Sequence, residues 1–286
     1  MRRSGDQDAS RATAARCPSP DLDPARLASL FDAAAASYDR VNTVITFGLD
    51  GLWRRWAARQ ALASSTARLV RPSARGGRAN PRVLDACAGT GALALALASR
   101  GAAVTAVDAA PGALALARRR LAAKGLPARV VVADLAGPTD LRDAVGPPFD
   151  AVTLGFGLRY FAAPGALLAR LRTLLKPGGR LVLLEAVRPP QDLAGRAAAA
   201  YLLHVAPRLG ATLAGRAELY DLLVASTRAL GSSAAIETGL RAAGFRVIAR
   251  RRFAAGAVVG FVAEPAEAAG SSEPAEPSAS AASPPQ

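Results

Sequence analysis

The stretch Val83–Asp108, VLDACAGTGALALALASRGAAVTAVD, restricts the fold of this chain more than any other. An apolar run leads into a glycine turn, the turn into a helical run of leucine and alanine, and that into a second apolar run ending in an acid. Gly89 and Gly91 let the backbone bend tightly and come close to a ligand with no side chain between. The helix that follows points its N-terminus at the same place. Asp108 closes the second strand, where an ionised carboxylate can accept two hydrogen bonds from vicinal ribose hydroxyls.

Strand and helix patterns alternate from there. Strands are expected at Arg82–Ala86, Ala102–Val107, Arg129–Ala133, Phe149–Leu154 and Arg180–Glu185, and helices at Gly91–Arg100, Pro111–Lys124, Leu141–Val145 and Pro164–Leu175. Pro177, Gly178 and Gly179 make the turn before the fifth strand. The alternation implies an α/β fold, a Rossmann-like doubly wound, mostly parallel sheet. Ser232–Ala243 resumes a helix, and strands Phe245–Arg250 and Val258–Ala263 can pair as an antiparallel edge. Between Val187 and Gly231 only helical spacing is seen, which predicts a cap insertion. A helical lid is expected over residues 24–70, with Leu27, Leu30, Phe31 and Ala34 on one face of its first helix. Trp53 and Trp56, flanked by Arg54, Arg55 and Arg59, suit either a membrane interface or the core.

One domain over 24–264 follows, with residues 1–23 and the Ala/Pro/Ser-rich 265–286 expected to be disordered, because neither end can bury enough apolar surface to offset its ordering entropy. Residues 1–23 hold no apolar run of the signal-peptide kind, and no run anywhere is long and charge-free enough to span a membrane. A net charge of +14 invites a nucleic-acid reading, yet the basic residues are almost all arginine, with Lys124 and Lys176 the exceptions, and are spread along the chain. Nucleic acid is therefore disfavoured as a partner, while an anionic bilayer surface stays compatible. Cys17 and Cys87 are too differently placed to suggest a structural disulfide, which fits a reducing cytoplasm. Cys87 reads as a small buried side chain rather than a nucleophile.

The glycines also fit a dinucleotide fingerprint, since Gly89, Gly91 and Ala94 match G-x-G-x-x-A. Asp85 argues against it: a carboxylate beside the turn repels a pyrophosphate and suits the ammonium and sulfonium of S-adenosylmethionine. Asp134, after the third strand, adds an acceptor for an adenine amine. Both acids can equally be loop carboxylates capping a helix.

The chain resembles the menaquinone and ubiquinone biosynthesis C-methyltransferases, within the class I S-adenosylmethionine-dependent methyltransferases. The likeness runs from about Leu30 to Ala263 and rests on LFDAAAASYDRVNTVITFGLDGLWRR, VLDACAGTG, FGLR at Phe156–Arg159, LLKPGGRLVLLE at Leu174–Glu185 and HVAPRLG at His204–Gly210. It implies methylation of the reduced ring of a polyprenyl quinol, in the cytoplasm or at the inner membrane surface. Peripheral membrane contact and a homodimer are compatible with that reading. The resemblance makes Thr90, Asp108, Asp134 and Leu135 cofactor contacts, and Arg159 and Tyr38 substrate-side residues. Ala92, Gly155 and Tyr160 depart from the family pattern of Asp, Ser and Asn. Those departures keep open methylation of another aromatic small molecule, or a scaffold with a degenerate site.

A sulfonium methyl is already electrophilic, so the chain needs mainly to align an electron-rich carbon and exclude water. Arg159 is the candidate cation for stabilising a ring phenolate, unless it is a loop arginine paired to a carboxylate. Tyr38 and Tyr160 bring phenols to the same side. His204, the sole histidine, is either a general base or a structural side chain. Asp39 is expected to cap a helix or pair with Arg40.

Overall fold

The computed structural model describes residues 23–63, 80–138, 140–146 and 148–266. Residues 1–22 and 267–286 of the two ends expected to be disordered, with Cys17, and most of the Gly/Pro/Arg stretch 71–81 lie outside these residues, whereas Asp23 caps the first helix and Pro265 ends the last strand.

Helix α1, Pro24–Ile45, starts at Asp23, whose carboxylate accepts from Ala25 N at 3.2 Å, with Pro24 in the first turn. It runs a full two turns past Tyr38. Gly48, in the left-handed region, then turns the chain into α2, Leu49–Leu62. The alternating section follows: β1 Arg82–Ala86, α3 Ala92–Ala98, β2 Ala103–Asp108, α4 Pro111–Ala123, β3 Ala128–Val132, α5 Leu141–Val145, β4 Phe149–Gly155, α6 Pro164–Thr173 and β5 Leu175–Ala186. Strand β5 begins earlier than the pattern suggests, because Leu175 pairs with Phe149 before the Pro-Gly-Gly turn and Arg180 resumes opposite Ala151. The cap consists of α7 Leu193–Ala200, a π turn at Tyr201–Val205, α8 Ala206–Ala214 and α9 Ala217–Leu230; α10 Ser233–Ala242, β6 Phe245–Phe253 and β7 Val258–Pro265 complete the fold.

The seven strands lie in the order β3-β2-β1-β4-β5-β7-β6. β1 to β5 are parallel, and β7 runs antiparallel between β5 and β6. The antiparallel strand is thus one place in from the edge, which β6 occupies. The order reverses beside β1, and the crevice at the carboxyl ends of β1 and β4 is where open α/β sheets bind ligands.

Side chains of alternate parity fill the two faces. Leu84, Val152, Leu183 and Phe261 pack with Leu168 of α6 and Leu240 of α10, while Val83, Val104, Val182 and Val262 pack with α2, α3 and α4 through Trp53, Leu97 and Leu114. Above the site lie α1, the cap and the first turns of α2, while the rest of α2 is a layer of the sandwich. Its alanine face, Ala57, Ala58 and Ala61, has no exposed surface and lets it lie close to the sheet. Trp56 seats on Gly260 of β7, where a Cβ would come within 2.2 Å of its ring, and its ring meets Phe253 edge-on at 5.5 Å. Trp53 is buried and Trp56 half-buried against the same core, so of the two readings of the pair the structure shows core packing.

Candidate active site

At the carboxyl ends of β1 and β4 two non-glycine residues, Cys87 and Phe156, are in the left-handed region at φ 55° and 61°. Such strain gathers where a binding site dictates the backbone. They flank a cavity of about 1060 Å³, lined by the strand ends below and by α1, the start of α2 and the cap above. That volume lies at the upper end for small-molecule pockets.

Asp85, Asp108 and Asp134 stand at the ends of β1, β2 and β3 and all line the cavity. Asp85 faces Thr153 across the β1–β4 register and accepts from its Oγ1 at 2.7 Å. Its other oxygen is buried without a hydrogen bond of ordinary geometry, and burial pushes its pKa up to about 7 against the Thr153 bond and the weaker pull of the Ala94 N–H. Asp108 accepts from Gly89 N at 2.8 Å and from Ala110 N at 2.9 Å, which ties the end of β2 to the glycine turn. Burial still holds its carboxyl above the usual range. Asp134 accepts from Ala136 N at 2.8 Å in a turn that brings buried Leu135 to the cavity wall.

The two glycines divide their work. Gly89 sits at φ 51° on the cavity wall with open space where a Cβ would be, so backbone and ligand can meet there. Gly91 does not line the cavity. Its φ is 80°, and a Cβ would fall 2.6 Å from the Cβ of Ala117, so its role is to let α3 and α4 close on each other. The reading of Gly91 as a ligand-side residue is corrected accordingly.

Helix α1 is latched over this end by two acids. Asp32 accepts from Ala113 N at 2.8 Å in the first turn of α4. Asp39 accepts from Thr90 Oγ1 at 2.7 Å and pairs with Arg120, whose guanidinium also donates to Thr90 O at 3.2 Å. The expected partner Arg40 is exposed and uninvolved.

The other end is aromatic and apolar. Arg159, 3 % exposed, lies in a short 3-10 turn, Leu158–Tyr160, just beyond β4. Its guanidinium pairs with Glu185 Oε1 at 3.0 Å, donates to Thr227 Oγ1 at 3.0 Å, and packs over the rings of Phe156 and Tyr160. The arginine is therefore both a wall of the cavity and half of a buried ion pair. Burial raises the Glu185 carboxyl against the pull of Arg159; burial is also the largest influence on Arg159 and works against its charge, but Glu185, Tyr160 and Tyr38 together outweigh it and raise the pKa. Tyr160 meets Phe31 of α1 edge-on at 5.2 Å, and Phe31 meets Tyr38 at 5.7 Å. Burial raises both phenols, so both keep their protons at neutral pH. Arg54, paired with Asp50, lies across Phe156 on the α2 side.

His204 is not brought to this site. The π turn directs Tyr201 and Leu202 to the cavity and leaves His204 exposed, where its carbonyl accepts from Arg208 at 2.6 Å. Cys87 lines the wall with its thiol pushed well up by burial and by Asp108 and Asp85, which suits a neutral packing group. Glu185, Thr153, Asp32 and Thr227 went unread in the sequence; only Glu185, an acid ending an apolar strand, carried a signal there.

A sequence profile of the ubiE/COQ5 methyltransferase family matches residues 20–264. The chain is 38% identical over 235 residues to the demethylmenaquinone methyltransferase of Clavibacter sepedonicus, covering 82% of this chain and 88% of that one. It is 39% identical over 221 residues to the protein of that name from Thermus thermophilus, covering 76% and 92%. Among solved structures, the [4+2]-cyclase SpnF superposes with a TM-score of 0.55 at 16% identity, over 84% of this chain and 96% of that one, a likeness of fold alone.

Proposed function

The chain belongs to the ubiE/COQ5 methyltransferase family, and from that membership together with the cavity we infer that it uses S-adenosylmethionine to methylate a ring carbon of a reduced, demethylated polyprenyl quinol of the demethylmenaquinol type. The observation that carries the reading is the division of one cavity into two ends: three strand-end carboxylates below α1, and an aromatic, arginine-bearing wall below the cap.

The residues fit the cofactor. The buried, unpartnered oxygen of Asp85 is what a cationic amine would satisfy. Asp108 keeps further lone pairs for ribose hydroxyls after its two backbone bonds. Gly89 leaves the backbone bare, Leu135 offers an apolar surface, and Thr90 holds the latch to α1. When bound, S-adenosylmethionine supplies an electrophilic methyl group.

What the chain contributes is position, dryness and control of protons. Tyr38 and Tyr160, both protonated, can donate to a quinol oxygen. Arg159 places a cation beside them, where it lowers the cost of ionising a ring hydroxyl and so makes the ring carbon more electron-rich. Glu185 and Thr227 hold that guanidinium in place. Because Glu185 neutralises part of its charge, Arg159 acts through close contact rather than a long-range field. Helix α1 and the cap exclude water. Among the described residues no helix is long and apolar enough to cross a membrane. Reaction in the cytoplasm or at the inner membrane surface is in keeping with this.

The test is methyl transfer from labelled S-adenosylmethionine to a solvent extract of reduced, demethylated quinones, with RNA in a parallel tube. Label is expected on the quinol ring. Cofactor binding without label would refute the substrate, and label on RNA would replace it.

A further inference from the structure

The corner between α1 and α2 forms one exposed edge of the cavity, and this corner is apolar outside as well as in. Phe47 and Leu49 line the cavity, yet Phe47 is 75% and Leu49 37% exposed. Beside them Val44 and Leu52, outside the lining, are 56% and 51% exposed. Four large apolar side chains exposed across the junction of two helices are an uncommon use of surface unless something covers it. The tryptophans of α2 do not belong to this patch, since both pack inward.

The charge around the patch says what covers it. On α1, Arg40 lies one turn from Val44, on the same face. On α2, Leu52, Arg55 and Arg59 share one stripe at spacings of three and four. All three arginines are exposed, and none pairs with a carboxylate among the described residues. The neighbouring acids are already engaged, Asp39 by Arg120 and Asp50 by Arg54. An apolar tip within unpaired arginines complements acyl chains beneath anionic headgroups. The cap is fastened to the same corner: Tyr201 donates to Ile45 O at 2.8 Å, and its ring lies 5.5 Å from that of Phe47.

We propose that the α1–α2 corner docks on an anionic bilayer, with the mouth of the cavity at the contact, so that a lipid substrate enters without crossing water. The proposal rests on the quinol reading for what enters, and on the exposed patch and its arginines for where the protein docks.

The test is sedimentation of the full chain with vesicles of phosphatidylcholine and phosphatidylglycerol, beside methyl transfer to two substrates: a tail-less demethylated quinol in buffer and its polyprenyl form in the vesicles. The wild type should pellet with the vesicles, and less so as salt rises. V44E/L52E and R40E/R55E/R59E should lose at least tenfold in vesicle binding and in turnover of the polyprenyl substrate. Both should keep the wild-type rate on the tail-less quinol. I248E, which charges an exposed isoleucine on the edge strand β6, outside the cavity lining, should behave as wild type. A wild type that stays in solution, or a V44E/L52E protein that pellets as well as wild type, would overturn the proposal. So would conversion of a dimer to a monomer by V44E/L52E with vesicle binding intact, which would make the corner an interface between copies. Docking through the corner with no transfer to either quinol would refute the quinol reading alone.

Discussion

Replacing Asp85 by asparagine should make the cofactor-free protein more stable at pH 8 while weakening its hold on S-adenosylmethionine. The carboxyl is raised from 3.8 to about 7 in the folded chain, chiefly by burial. A pKa raised on folding means that the folded state binds the extra proton, so stability falls as pH rises from about 4 to about 7 and is level above. At 1.36 kcal/mol per unit the penalty at pH 8 is about 4 kcal/mol. Asparagine removes it, keeps an oxygen for Thr153 Oγ1, and leaves an amide N–H₂ where the unpartnered oxygen was, at a cost of about 1–3 kcal/mol. The expected gain is about 1–3 kcal/mol at pH 8, gone by pH 5. Urea denaturation of both proteins at pH 5, 6, 7 and 8 measures it, and the difference between them isolates Asp85 from Asp108. Titration with S-adenosylmethionine at pH 8 should show at least a tenfold loss of affinity, about 1.4 kcal/mol. A variant no more stable than wild type at pH 8, or a difference that ignores pH, would refute the argument that Asp85 is held in a strained, ligand-ready state.

Three further outcomes follow from the same geometry. Arg159→Ala should leave Glu185 buried alone and cost about 3–5 kcal/mol in denaturation; adding Glu185→Gln should restore most of that stability but none of the methyl transfer. Gly91→Ala should cost at least about 2 kcal/mol, from a left-handed φ and the clash with Ala117, while Gly89→Ala should cost about 1 kcal/mol of stability and act mainly on cofactor affinity; equal effects of the two on binding would contradict the division of roles. His204→Ala should keep methyl transfer within twofold of wild type at every pH from 6 to 9, whereas a lost alkaline or acid limb in the rate profile would return the histidine to the mechanism.

Much of this protein is local, and what is local was legible in its residues. The alternation of apolar strands with leucine–alanine helices, the glycine turn and the acids closing β1, β2 and β3 all follow from periodicity and from backbone chemistry within a few residues. The class of sheet comes from those patterns, and so does the position of the three carboxylates proposed to hold the cofactor. The partners of the site's charges do not, because they come together from distant parts of the chain: Glu185 reaches Arg159 across 26 residues, Thr227 reaches it across 68, and Arg120 reaches Asp39 across 81. No periodicity encodes which acid a given arginine meets; the packing of the cap and of α1 decides it. Facing is decided in the same way. Nothing in the neighbours of Trp53 and Trp56 tells an interface helix from a sheet-covering one, until Gly260 in β7 makes room for an indole. Nor does the sequence of the cap tell which residues its π turn sends inward, and that one bulge separates Tyr201, at the cavity, from His204, in water.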